Sequence, residues 1–358
     1  MKLRALFSRT TAFIAGIVGT LLLLEIVLRM LPVLGGTYAA DPRASWPVHT
    51  MIPNTRYTYS TGWNLQNIQR GRINNFGYAA PADYEPGRGG IAVFGDSYVE
   101  SLMNAYPDTL QGSLNDYLKT KRLVLNFGMS GAEMPDYLGT AALVREQFAP
   151  EWAVFVITLG DFTRGFSAAP GYFEWRHDRS PPVALRPEIR RSELNKWLRT
   201  VALIRYLRGN LSMRPAELIS LRRGSDTAAG TSRCQPEVLS KQDEALLTAF
   251  ARELPVAAGL APGRVILVFD SDRKAIYAGK SAAQRQGCPQ RATLANDYLK
   301  EVAAHSGLRV IDSDPVFRRH YATGLGPVDR SPVDAHWNPA AHRLMAREVA
   351  RVIDPAQF

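Results

Sequence analysis

Five short, mostly apolar runs punctuate this chain, at Ile91–Phe94, Arg122–Phe127, Trp152–Leu159, Arg264–Phe269 and Leu308–Asp312. None alternates cleanly between apolar and polar positions. Strands buried on both faces have that signature, which predicts a parallel sheet covered by helices. The segments between the runs carry apolar residues at helical spacing instead. Leu110, Leu114 and Leu118 follow Pro107 at intervals of four, giving one stripe to face the sheet. Pro135–Phe148, Leu239–Leu254 and Ala292–Ala304 read as further helices. Near the C-terminus Asn338 is placed to cap a last helix and Pro339 takes its first position. Ala341, Met345, Val349 and Val352 supply its buried stripe. Strand–helix alternation of this kind predicts an α/β fold: a three-layer α/β/α sandwich on a mostly parallel five-stranded sheet, over residues 72–358.

The rhythm breaks between about 163 and 260. Within that stretch Glu193–Leu207 reads as one amphipathic helix, with Trp197, Leu198, Val201, Ile204 and Leu207 on one side. We take the stretch as a helical, basic insertion in the same domain. Residues 35–71 are rich in Pro, Thr, Tyr and Asn without periodicity and read as a linker and irregular lead-in. The chain shows no internal repeat and no low-complexity tract.

Residues 11–34 are different, because they are almost wholly apolar. A helix of that length reaches about 36 Å, enough to cross a bilayer with some tilt. Glu25 and Arg29 interrupt the run four residues apart, on one helix face where they can pair. The unbroken core Thr11–Leu24 is also short enough for a cleaved signal peptide. However, the small residues that could mark cleavage, Ala39 and Ala40, lie too far beyond it. We adopt the uncleaved signal anchor. Lys2, Arg4 and Arg9 precede the span, so residues 1–10 are expected in the cytoplasm and the domain outside it.

Charge refines this picture. The chain of 358 residues carries 43 Lys and Arg against 33 Asp and Glu. Removing residues 1–34 leaves 39 against 32, and Arg186–Arg223 alone holds ten basic residues and three acidic, so the rest of the exterior part is neutral. An exported domain rarely meets nucleic acid, and none is expected as a partner. Three readings of the basic stripe stay open: anionic lipid headgroups, an acidic glycan, or a solvated helical surface. Cys234 and Cys288 are the two cysteines; a single disulfide or two unrelated thiols both fit an oxidising compartment. No Cys/His cluster has metal-ligand spacing, and neither a metal nor another cofactor is expected.

The candidate chemistry lies in two distant segments. Gly95-Asp96-Ser97 stands where the first strand gives way to a helix, and Asp334-Ala335-His336-Trp337 precedes the last helix. A serine hydroxyl needs a base to take its proton and a carboxylate to orient that base. In an extended segment residues i and i+2 point the same way, so Asp334 can reach His336. The exits of the first three strands bring Ser97, Gly128 and Gly160-Asp161 to one edge of the sheet, where α/β folds gather functional groups. His49, His177, His305, His320 and His342 lack such a partner. Trp337 reads as packing beneath the loop, and Phe269-Asp270-Ser271-Asp272-Arg273 as structural chain on the same edge.

The chain resembles the SGNH hydrolases, also called GDSL esterases and lipases, in four short blocks taken in order over roughly residues 70 to 355. Gly95-Asp96-Ser97 matches the nucleophile block, and Gly128 the glycine whose N–H holds the oxyanion. Asp334 and His336 match the last block; relatives that modify polysaccharides also use Asp-x-His-Trp. The third block departs from the pattern: Gly160-Asp161 stands where the family has Gly-Asn-Asp, so the Asn is missing. The resemblance implies Ser97 as nucleophile, His336 as base, Asp334 as its carboxylate, and Ser97, Gly128 and Asp161 around the oxyanion. Asp161 has three readings: a protonated donor, the family's Asp with the Asn deleted, or a mark of impairment.

The apolar span and the resemblance together imply a single-pass protein of the bacterial inner membrane, its catalytic domain periplasmic or extracytoplasmic. The expected substrate is an acyl, most simply acetyl, ester of an envelope or exported glycan. Hydrolysis and acyl transfer stay open, and an envelope membrane protein is a candidate partner. The alternative is a catalytically impaired protein of this fold that binds polysaccharide or serves as a scaffold.

Overall fold

The structure is a computed structural model describing residues 2–41, 46–119, 123–163, 170–176, 178–187, 192–213, 237–279, 290–331 and 333–358. Its described residues fall into two compact units. One draws on residues 1–38, 56–70 and 190–230, the other on 39–55, 71–189 and 231–358.

In the first unit α1 (Lys2–Met30) is the long N-terminal helix, and its Thr10–Met30 portion is apolar and long enough to cross a membrane. A two-stranded sheet, β1 (Arg56–Thr61) with β2 (Gln66–Arg72), follows where the sequence predicts irregular chain. Tyr57-Thr58-Tyr59 is good strand material, but its period is masked by polar neighbours and by the half-buried setting of the strand.

The larger unit holds the sandwich. Its elements run β3 (Ile91–Gly95), α2 (Ser97–Glu100), α3 (Leu110–Tyr117), β4 (Val124–Gly128), α4 (Met134–Phe148), β5 (Trp152–Ile157) and α5 (Gly160–Thr163). A small hairpin, β6 (Phe173–Trp175) with β7 (Val183–Leu185), comes next. In the first unit again, α6 (Glu193–Leu198) and α7 (Ala202–Arg205) occupy the place of the single expected helix. The break falls at Val201, which is extended. It has a cause: the Glu25 carboxylate accepts the backbone N–H groups of Ala202 and Leu203, both at 2.9 Å, and so founds a new helix start there.

The sandwich then resumes with α8 (Lys241–Ala258), β8 (Val265–Phe269), α9 (Arg273–Tyr277), α10 (Arg291–His305), β9 (Arg309–Asp312) and α11 (Ser313–Ala322). It closes with the short pair β10 (Asp329–Arg330) and β11 (Asp334–Trp337) and with α12 (Pro339–Ile353). Cys234 and Cys288 lie outside the described residues, as does part of the basic stripe.

The sheet order is β4-β3-β5-β8-β9, all parallel. Every residue of β3, β4 and β8 is buried, which is why their sequences do not alternate. Ile91 and Val93 face one layer with Leu110, Leu114, Met345 and Val349 of α3 and α12. On the other face Phe94 stacks between its register partners Phe127 and Phe155, with ring centroids at 5.5 and 4.7 Å. Each such pair adds about 1 kcal/mol beyond its buried area. Helices α4, α8 and α10 pack in sequence across that face. The edge strand β4 is covered by the chain just before β3: the Tyr84 hydroxyl accepts from the Asn126 N–H and donates to its carbonyl.

Candidate active site

The site begins with a tight exit from β3. A Cβ on Gly95 would collide with Val99, and one on Gly128 with the Glu100 nitrogen, so glycine at both positions lets α2 lie against the ends of β3 and β4. The Asp96 side chain caps α2 by accepting the Tyr98 N–H at 2.9 Å. Helix α2 is a single turn, closed by Ser101 in the left-handed region at φ 52°. This one turn holds Ser97 half-buried at the carboxyl edge of the sheet.

The opposite side of the site is β11. Its antiparallel pairing with β10 keeps Asp334, Ala335 and His336 extended, so the first and third side chains share a face. Asp334 Oδ1 accepts the His336 backbone N–H at 3.0 Å and lies 2.5 Å from Nδ1 of the ring. With Nδ1–H donating to Asp334, Nε2 keeps its lone pair. Ser97 Oγ lies 2.7 Å from Nε2 and donates to it. Trp337 points the other way, fully buried, with its indole N–H on Asp270 Oδ1 at 2.8 Å.

The electrostatics follow this geometry. Burial works to raise the Asp334 carboxyl, but hydrogen bonds from the ring and backbone of His336 outweigh it and hold the group below the ordinary value. Burial works to lower His336, and the hydrogen bond and charge of Asp334 overcome it, so the imidazole sits above its usual 6.5. His342, packed behind the site, is pushed down to about 3 by burial and the charges of His336 and Arg330. Its Nδ1 accepts the Leu110 N–H, and its Nε2 lies 3.0 Å from Ser101 Oγ.

Arg273, read from the sequence as structural chain at this sheet edge, braces the site. It is buried, and its guanidinium reaches four groups at once: Asp329 Oδ2 at 2.9 Å, Asp270 Oδ1, the Tyr98 hydroxyl at 2.7 Å and the Ala335 carbonyl at 2.6 Å. It therefore ties α2 to β11 between Asp334 and His336. Burial opposes its charge, and Asp270 and Tyr98 more than compensate, so it stays firmly protonated. From the other side Asn104 donates to the Trp337 carbonyl at 3.0 Å and accepts from Arg330 at 2.9 Å. Glu100 carries no sequence signal of its setting. Burial pushes its carboxyl up to about 7, and it accepts the Ser130 hydroxyl.

The expected oxyanion groups are less simply placed. Among the described residues no hydrogen bond occupies the Ser97 N–H. The Gly128 N–H donates to Asn126 Oδ1 at 2.8 Å, and Asn126 is itself anchored by donating to the Ala79 carbonyl at 2.9 Å. Asp161 is buried at 2% exposure, with Oδ2 accepting the Thr158 N–H at 2.8 Å and Oδ1 within 3.1 Å of the Thr158 hydroxyl. Burial drives its carboxyl well above the usual carboxylate range, and the charge of Asp96 pushes the same way.

No family model matches the chain, and no curated protein does. Similar solved structures include LAE5, an α/β hydrolase enzyme from the metagenome of Lake Arreo, at 14% identity over 76% of this chain and 96% of that one, TM-score 0.38. Another is a member of the lipolytic protein G-D-S-L family from Veillonella parvula, at 14% identity, 73% and 96% coverage and TM-score 0.35. A third is Est24, a carbohydrate acetylesterase from Sinorhizobium meliloti, at 9% identity, 76% and 100% coverage and TM-score 0.38.

Proposed function

We propose that this protein is a serine-dependent esterase or O-acyltransferase of the SGNH type. The observation that carries the reading is the line from Ser97 Oγ through His336 to Asp334, assembled from opposite ends of the larger unit. His336 takes the Ser97 proton as Oγ attacks an ester carbonyl. The same imidazolium returns the proton to the leaving alcohol as the C–O bond breaks. Water, or a sugar hydroxyl, then attacks the acyl-serine, with His336 again as base. Asp334 keeps the ring in the required tautomer.

The Ser97 N–H is available to the developing oxyanion, and Gly128 contributes to the extent that it shares its bond to Asn126. Asp161, kept neutral by burial, stands at the third position but holds Thr158 with both oxygens and acts there as a structural acid. The committed Gly128 and Asp161 also favour a second reading, a slow enzyme or polysaccharide-binding scaffold on the same fold. α1 serves as an uncleaved anchor in the bacterial inner membrane with the domain periplasmic, and an acetylated envelope glycan is the substrate class that fits such a place.

The test uses the detergent-solubilised full chain. Hydrolysis of p-nitrophenyl acetate and labelling by a fluorophosphonate, both abolished in Ser97→Ala, are the expected results. Labelling that persists in the variant, or none in either protein, removes the enzymatic reading.

A further inference from the structure

The first unit contains an arrangement that the esterase reading leaves unused. Residues 192–213 return to the N-terminal helix and join it through Glu25, which accepts two backbone N–H groups at the start of α7 and the Arg29 guanidinium at 2.7 Å. Leu28 and Val33 pack with Ala202, and the Leu34 N–H donates to Asn210 Oδ1 at 3.1 Å. Asn210 in turn donates to Ser60 at the end of β1, while the Tyr206 hydroxyl donates to the Trp63 carbonyl at 2.7 Å. Helix α1, the turn after β1 and the returning segment are thus one hydrogen-bonded body.

Depth follows from length. The apolar stretch Thr10–Met30 spans about 31 Å at 1.5 Å per residue, close to the whole thickness of a bilayer's hydrocarbon layer. Glu25 lies five residues from the end of that stretch, so about 8 Å inside it. A carboxylate there is tolerated when its oxygens are taken up by donors, and the donors here are Arg29 and the backbone of α7. The segment that supplies those donors must share the depth of Glu25.

Its composition suits such a place. Trp63, Trp197 and Leu194 are 76%, 60% and 64% exposed, far more than large apolar side chains of a core-packed helix. Between residues 192 and 213 there are four basic residues, Lys196, Arg199, Arg205 and Arg208, against one acidic, Glu193. Exposed tryptophan beside basic residues is the pattern of a surface lying at the level of lipid headgroups.

We propose that α6, α7 and the turn carrying Trp63 form an interfacial collar around the outer end of α1, with Trp63 and Trp197 seated among the headgroups of an anionic bilayer. This rests on the anchor assignment for α1. The collar adds a second hold on the membrane and fixes the rotation of α1 within it, because only one helix face presents Glu25.

The chain is well suited to a test, since its six tryptophans include none in α1. The full chain is reconstituted into phosphatidylcholine–phosphatidylglycerol vesicles in which the phosphatidylcholine is either plain or brominated at carbons 6 and 7. Bromolipid is expected to quench a clear part of the emission, and the combined Trp63→Phe and Trp197→Phe variant to lose most of that quenching. Glu25→Gln is expected to reduce it by about half or more, as α7 comes loose. Equal emission in the two vesicle types overturns the collar, as does quenching that survives intact in the double variant. Extraction with alkaline carbonate reads α1 separately: a chain that stays in the pellet but is not quenched keeps its anchor and loses the collar. A chain that is extracted refutes the anchor itself. Equal quenching without phosphatidylglycerol refutes the electrostatic share of the contact.

Discussion

Two turns leave neighbouring strands of one sheet at the same edge, and they treat their polar side chains in opposite ways. After β3 the chain turns at once into α2, and Ser97 is left half-buried with its hydroxyl on a histidine. After β5 the turn closes on itself: Asp161 folds back onto the N–H and hydroxyl of Thr158 and is sealed from solvent. The first turn spends its polar group outward, on a relay that can change protonation. The second uses an equally polar group to hold its own backbone. On the proposed esterase reading, the nucleophile side is complete while Asp161, at the third oxyanion position, has become structural.

The largest test of that division is removal of the relay. Ser97→Ala or His336→Ala should lower p-nitrophenyl acetate turnover by about 10³-fold or more, while leaving the circular-dichroism spectrum unchanged. Asp334→Asn should cost about 10²- to 10⁴-fold, because the amide favours the wrong ring tautomer. It should also move the pH profile. His336 must be neutral to act as base, and Asp334 holds it above its ordinary value. Wild-type kcat/KM should thus climb as pH rises through a value above about 6.5, and the variant's residual activity should climb at lower pH. An acid limb in the same place for both proteins would mean that Asp334 does not control the ring.

Next comes the brace that makes the first turn productive. Arg273→Met leaves Asp270 and Asp329 buried without their cation, and breaking such a pair typically costs about 3–5 kcal/mol. We expect a lower urea midpoint and a fall in kcat of about tenfold or more with KM little changed, since β11 loses the guanidinium on its Ala335 carbonyl and keeps only the Tyr98 hydroxyl there. Stability lost without any fall in kcat would limit Arg273 to holding the fold.

How far the sequence reveals these features depends on how local their causes are. Ser97, Asp334 and His336 are legible because each sits in a short motif and because i and i+2 in a strand share a face. The parallel sheet is legible because strands buried on both sides cannot alternate. The bracing role of Arg273 is not, since only Asp270 is near it in the chain, and no spacing links it to Tyr98, Asp329 or Ala335. The commitment of Gly128 to Asn126 is equally hidden: it needs the distant carbonyl of Ala79 to hold the amide in place. The broken helix at Val201 has the same origin, because its amphipathic stripe is continuous and only Glu25, some 177 residues away, divides it.

The smallest expected effect lies in the second turn, and its sign separates the readings of Asp161. Burial and the charge of Asp96 raise this carboxyl, so the native state keeps its proton at pH values where the unfolded chain, near 4, has lost it. A group raised on folding contributes stability that is complete below the unfolded value and is lost as pH climbs toward the folded one. Asn does not titrate, and its amide can still accept the Thr158 N–H. Asp161→Asn should therefore gain stability relative to wild type as pH rises from about 4 to 8, with turnover changed by less than about tenfold. A stability difference that stays flat over that range means the carboxylate ionises normally in place. A loss of turnover beyond a hundredfold at unchanged stability would show that the acid proton, not the shape of the side chain, serves the oxyanion, and the two turns would then differ in burial but not in purpose.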